Sequence, residues 1–172
     1  MTSRPDRDEA AAYYYTYIDQ VGGGDIRDIL DTQAAETLSF FRRLDDSQSQ
    51  HRYAPDKWTI GEVVSHLNDT ERLFAFRALW FARGFDTPLP SFDQNVALAS
   101  AAAGERSWTS LVDEFAAVRA ATSALFRHLP AAAWMRRGTA SGFEFTVRAL
   151  AYIAAGHVTH HVRILHERYL AR

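Results

Sequence analysis

A chain of 172 residues, 47% of them apolar and 13% aromatic, has the length of one ordinary domain and enough apolar material for a real core. Its formal net charge of −2 supplies no long-range field to gather nucleic acid or an anionic membrane, so neither is expected as a partner. There is no cysteine, which excludes disulfides, iron–sulfur clusters, thiolate zinc sites and a cysteine nucleophile together. Any metal must sit on nitrogen and oxygen donors, and any thiol must arrive with a substrate or cofactor.

The stretch from Met1 to Glu9 is polar and lacks a signal-peptide core. Residues 1–12 read as a loose tail ahead of a single domain over residues 13–172. No apolar run approaches the ~20 residues of a membrane span, and the most apolar stretch, Leu73 to Ala82, is interrupted by Arg77. A soluble, cytoplasmic protein is the expectation. Tyr13, Tyr14, Tyr15, Tyr17 and Ile18 form an aromatic patch before three consecutive glycines. Large aromatic bodies are mainly packing material, so the patch reads first as an anchor for the terminal segment.

Four long segments carry helical periodicity. The first runs from about Asp25 to Arg43, with Ile26, Ile29, Leu30, Leu38 and Phe41 on or near one face. The second opens at Thr59, with Glu62 three residues later completing a capping-box pattern, and stops near Arg83 before Gly84. Pro88 and Pro90 then force a loop over about Phe85 to Asn95. A third helix starts near Ser107 and ends before Pro130. Thr146 caps a fourth that reaches about Tyr169. Phe143 to Phe145 is the one candidate extended piece. Four long helices with short polar connections predict an all-α four-helix bundle.

On the fourth helix, at about 100° per residue, His161 lies about 40° from His157, with Leu150, Ala154 and Ile164 around the same stripe. Two imidazoles four residues apart can converge on one ion. With seven histidines in the chain such a pair also arises by chance, and a pair of hydrogen-bonded core histidines fits the spacing too. His160 falls at the edge of the stripe, about 100° from His161, and His166 on the opposite face. On the second helix His66 sits at the margin of the face made by Val63, Leu67, Thr70, Leu73 and Phe74. It is either a satisfied core histidine or the third ligand of a catalytic-type metal site with open positions. His51 and His128 fall near helix ends, where solvent is expected. No glutamate follows His157, so the zinc-protease helix pattern is absent.

The run from Trp58 to Val64 leading to His66, followed by Asp69-Thr70-Glu71-Arg72, resembles the second helix of the DinB-like (DinB/YfiT) superfamily. Phe76 to Leu79, Arg83-Gly84, Thr87 to Pro90 and Phe92 to Asn95 are similar to one branch of it, and His157 with His161 matches its late histidine pair. The resemblance runs from about Tyr13 to Leu170. It implies a four-helix bundle holding one divalent metal ion on His66, His157 and His161. Members often form dimers; some branches transfer low-molecular-weight thiols to electrophiles, and another isomerises maleylpyruvate with mycothiol.

Such a site leaves a zinc, nickel, iron, manganese or cobalt ion its full charge, able to activate a bound thiol or water and to polarise a carbonyl. The expected function is therefore that of a metal-dependent enzyme acting on a small-molecule substrate by thiol transfer. The alternatives are a metal-dependent hydrolase and a non-catalytic metal- or ligand-binding bundle in a stress response. Absence of an evident general base favours thiol activation. Asp69, one turn after His66, is a candidate to orient a ligand imidazole, or else a solvated carboxylate. Asp93 is a candidate for the mouth of the site or a turn residue. With ordinary imidazoles near pKa 6.5, proton competition for the metal is expected between about pH 7 and 5. The aromatic residues near the end of the second helix, Trp80 and Phe85, suggest a homodimer.

Overall fold

The structure, a computed structural model, describes residues 3–171. Its framework is four long helices: α2 (Ile26–Phe41), α4 (Ile60–Ala82), α6 (Trp108–Arg127) and α7 (Val147–Ile164). Short helices α1 (Tyr15–Ile18), α3 (Asp46–Ser49) and α5 (Gln94–Ser100) lie between and before them. The expected all-α bundle is what forms.

Each long helix begins where a side chain satisfies its free N–H groups. Asp25 accepts from the Arg27 N–H, Ser107 from Ser110 and Thr146 from Ala149. Thr59 and Glu62 make the anticipated capping box, at 3.1 and 2.6 Å. α4 ends before Gly84, whose φ of +83° lies in the left-handed region that favours glycine. The last helix reaches Tyr169 as expected but widens at its end: the α-helix stops at Ile164 and one π-turn, Leu165–Tyr169, carries it on. There the Tyr169 hydroxyl donates to the Trp58 carbonyl at 2.8 Å.

α4 packs against α6 and α7, and α2 packs against those same two helices. The long helices consecutive in sequence, α2 and α4, are therefore diagonal partners, and so are α6 and α7. Two apolar clusters fill the centre. One gathers Ile18, Ile26, Leu30, Phe81, Phe126 and the first half of α7; the other gathers Phe41, Ile60, Leu67, Trp108, Phe115 and Val158.

Three features depart from the sequence expectation. The loop before α6 contains the short helix α5, capped by Asp93. The connection before α7 is a hairpin, β1 (Arg137–Ala140) paired antiparallel with β2 (Phe143–Thr146), so the extended piece at Phe143 has a partner strand. It lies on α4 so closely that a Cβ at Gly138 would stand 2.0 Å from the Phe81 ring. The N-terminal segment is docked rather than loose. Glu9, only 1% exposed, accepts from Thr146 Oγ1 at 2.7 Å and from Arg148 Nε at 3.0 Å, and its carbonyl accepts from the Thr146 N–H. Burial alone would raise the Glu9 carboxyl; the bonds from Arg148, the Asp6 N–H and Thr146 together outweigh it and hold the group below its usual value. The aromatic patch does anchor this segment: α1 lies on α7, with the Tyr17 carbonyl over Gly156, where a Cβ would meet it at 2.2 Å. Among the described residues, no helix is long and apolar enough to cross a membrane.

Candidate metal centre

The capping box fixes the phase of α4 two turns ahead of His66, and Thr146 does the same for α7. The two helices pack together with His66 facing His157 and His161. His66 Nε2 lies 3.2 Å from His157 Nε2, and His161 Nε2 lies 3.2 Å from the same atom. One nitrogen from each of the three falls within 4.8 Å of the others. Two nitrogens held about 2.0–2.1 Å from a tetrahedral ion would stand about 3.3–3.4 Å apart, so the observed spacing fits a single divalent ion. Imidazole donors suit zinc, and equally nickel, iron or cobalt.

The imidazoles are in the right state to coordinate. His66 and His157 are each 5% exposed and His161 is half-buried. Burial lowers His66 to about 4 and His161 to about 3, the latter helped by the neighbouring His66 and His160. His157 is held well below the usual value, by burial first and then by His161, His66 and Arg119. All three are neutral at pH 7, and the proton competition expected between pH 7 and 5 moves to lower pH.

Thr70 orients the central ring. Its hydroxyl donates to the His66 carbonyl at 2.7 Å, leaving the oxygen to accept from His157 Nδ1–H at 3.3 Å. That tautomer directs the Nε2 lone pair at the cluster. Asp69 does not take this part: its charged neighbours are Arg72, Glu114 and Arg106. Aromatic rings wall the site, with Trp58 5.0 Å from His66, and Tyr17 and Phe74 5.1 and 5.7 Å from His157. His160 stays outside, its ring edge-on to Tyr17 and its Nδ1 3.4 Å from Gln20 Nε2. His166 stacks on Phe40, and His51 and His128 are exposed, as expected.

Behind the histidines, one buried polar chain links all four long helices. Arg119 on α6 faces Glu71 on α4 with both its Nε and Nη2, at 2.9 and 3.0 Å, and both residues are nearly inaccessible. Arg119 Nη1 donates to Gln33 on α2 at 2.8 Å, and Gln33 donates in turn to Thr159 and the Ala155 carbonyl on α7. Glu71 is thus committed to Arg119 and is no metal ligand.

In front of His66 and His157 lies a cavity of about 130 Å³. Tyr13, Tyr14 and Tyr17 form one side, and Thr70, Phe74 and Arg77 another; Phe92, Gln94 and Ser141 close the rim. Asp93 itself caps α5, accepting from Asn95 and Val96, while its two neighbours face the cavity. No carboxylate lines it among the described residues. Sequence reasoning missed Thr70, Arg77 and the cavity role of the tyrosines. The signal for Thr70 was present, four residues after His66 and on the same face.

The DinB superfamily model matches residues 29–165. A search of the curated proteins finds no match. Among solved structures, YfiT from Bacillus subtilis superposes with a TM-score of 0.72 at 18% identity, over 95% of this chain and 89% of that one. It is described as a probable metal-dependent hydrolase with an unusual four-helix bundle topology. A mycothiol-dependent maleylpyruvate isomerase gives 0.63 at 18% identity, over 81% of this chain and 60% of that longer one.

Proposed function

This chain belongs to the DinB superfamily, and from that premise we propose that it is a metal-dependent enzyme whose ion is held by His66, His157 and His161. The observation that carries the reading is the convergence of three neutral imidazoles beside an open cavity, with the Nε2 atoms of buried His66 and half-buried His161 each 3.2 Å from that of buried His157. A divalent ion there would supply Lewis acidity, lowering the pKa of a coordinated thiol or water and polarising a carbonyl.

The residues themselves do the rest. Three neutral ligands leave the ion's charge undiminished, and Glu71, neutralised by Arg119, does not offset it. Phe74 and the tyrosines exclude bulk water from the reacting atoms, which strengthens electrostatics inside. We read the reaction as transfer of a low-molecular-weight thiol to an electrophilic carbon: the sulfur forms the new bond to carbon as the bond from that carbon to its leaving group breaks, the leaving group departs with the electron pair, and the thiol proton passes to solvent. The carboxylate-free cavity favours this, since a coordinated thiol needs no strong base to lose its proton. Hydrolysis is the second reading, favoured by the likeness to YfiT.

The test is turnover by zinc-loaded protein with bacillithiol, mycothiol or glutathione plus model electrophiles, beside panels of esters and amides. Metal-dependent, saturable thiol consumption is the expected result. Ester or amide cleavage without thiol dependence replaces thiol transfer by hydrolysis. Inertness in both panels leaves a binding protein.

A further inference from the structure

Arg77 lies at the far end of the cavity that His66 and His157 line. It follows His66 by eleven residues on α4, which returns it to within about 20° of the same face and about 16 Å further along the axis. Helical side chains lean toward their own N-terminus, so its head reaches back toward the histidines. The residue is 2% exposed, yet no described carboxylate pairs with it. Nη2 donates to the Pro90 carbonyl at 3.0 Å and to Ser141 Oγ at 2.9 Å, Nε has no acceptor, and the Tyr14 hydroxyl lies nearby.

The other arginines drawn into the fold, buried Arg119 and partly buried Arg148, are treated differently. Arg119 has Glu71 and Arg148 has Glu9. Burying a cation without a counter-charge is costly, and burial does pull the Arg77 guanidinium below its usual value. The surroundings hold it in place all the same: Ser141, a non-glycine residue at φ +54°, is turned so that its hydroxyl meets Nη2. A guanidinium without a counter-charge at the edge of a cavity is a site for an anion; with Nη2 already donating twice, Nη1 and Nε are the groups left to meet a carboxylate.

We propose that Arg77 is a carboxylate-binding subsite and that the substrate is a small organic acid, anchored there with its reactive carbon toward the three histidines. The cavity, about 130 Å³ and walled by aromatic rings, suits a few-carbon acid rather than a peptide. The orientation toward the histidines rests on the metal-centre reading; the carboxylate subsite does not require the ion.

The experiment therefore uses chelator-treated, ¹⁵N-labelled protein and follows the Arg77 Nε–H signal, assigned with Arg77→Lys, during titration with pyruvate, acetamide and inorganic phosphate. A saturable shift with pyruvate and none with acetamide is expected. By calorimetry, Arg77→Lys should bind pyruvate about tenfold more weakly, because it keeps the charge and loses the directed N–H groups of the guanidinium. Arg83→Lys alters an exposed arginine at the end of the same helix, outside the cavity, so it should bind within about threefold of wild type. No saturable shift, an equal response to acetamide, or undiminished binding by Arg77→Lys overturns the proposal. Saturation by phosphate alone overturns the organic-acid assignment in favour of a phosphoryl ligand. Pyruvate binding in a protein that takes up no zinc would sink the metal centre and leave this subsite standing.

Discussion

His66 Nε2 and His157 Nε2, ninety-one residues apart in the chain, lie 3.2 Å from one another in the centre of the bundle. Two buried acceptor nitrogens meet so closely only if a proton or a metal ion sits between them. His161 adds a third nitrogen at the same distance from His157, more than one shared proton can satisfy.

Replacing any of these three with Gln should lower zinc affinity by orders of magnitude, each removing one of three ligands. Thr70→Val keeps the shape and removes the acceptor of His157 Nδ1–H, with an expected loss of about 10–100-fold. His160→Gln should change affinity by less than about tenfold, because His160 contacts Tyr17 and Gln20 instead. Competition titrations with a chromophoric chelator check the series. A His160 variant that loses metal while the His161 variant keeps it would refute the assignment.

The depressed imidazoles make metal-free stability depend on pH. In the unfolded chain each histidine titrates near 6.5, whereas His66 and His161 in the fold are lowered to about 4 and about 3. Their contribution is complete above about pH 6.5. As pH falls below that, the unfolded chain binds protons that the native state refuses. Stability then drops by up to about 1.4 kcal/mol per pH unit for each histidine, until the native rings protonate near pH 4. Thermal unfolding of chelator-treated protein should show Tm falling from pH 6.5 to 4, and a smaller fall in His66→Gln. An unchanged Tm across that window would mean that the rings are charged in the native state.

Breaking the Glu71–Arg119 pair from one side should be severe. Arg119→Met leaves a carboxylate buried without its partner, at a cost of about 3–5 kcal/mol, less whatever Glu71 recovers by taking up a proton. Glu71 is already raised by burial, so protonation is within its reach. Urea unfolding checks this. A cost below about 1 kcal/mol would show that water or another group reaches Glu71.

Gly156→Ala would set a methyl group against the Tyr17 carbonyl, a backbone atom that cannot swing aside. Lifting α1 from α7 should cost about 1–3 kcal/mol and open the tyrosine side of the cavity. Limited proteolysis near the triple glycine should accelerate relative to wild type. Unchanged cleavage would mean that α1 is not held at this contact.

How much of this the sequence revealed follows from the range of each interaction. Thr59 with Glu62, Ser107 and Thr146 act within one turn, so helix starts were legible. The phases of His157, His161 and His160 were too, since they depend only on helical rotation. The burial of Glu9, Glu71, Arg77 and Arg119 was not legible, because nothing local marks a charge that distant chain will bury. Thr70 was passed over for Asp69 on chemical type, although about +40° from His66 places Thr70 toward α7 and about −60° turns Asp69 away. The strand at Arg137 escaped notice because its alternation is short and Gly138 interrupts it.

X-ray absorption at the zinc edge of protein loaded with one equivalent of zinc reads the ligand set itself. Imidazole scattering from three nitrogens at about 2.0–2.1 Å is expected, with the remaining positions filled by solvent. A shell of oxygen donors, or of one imidazole at most, would contradict a centre built on His66, His157 and His161.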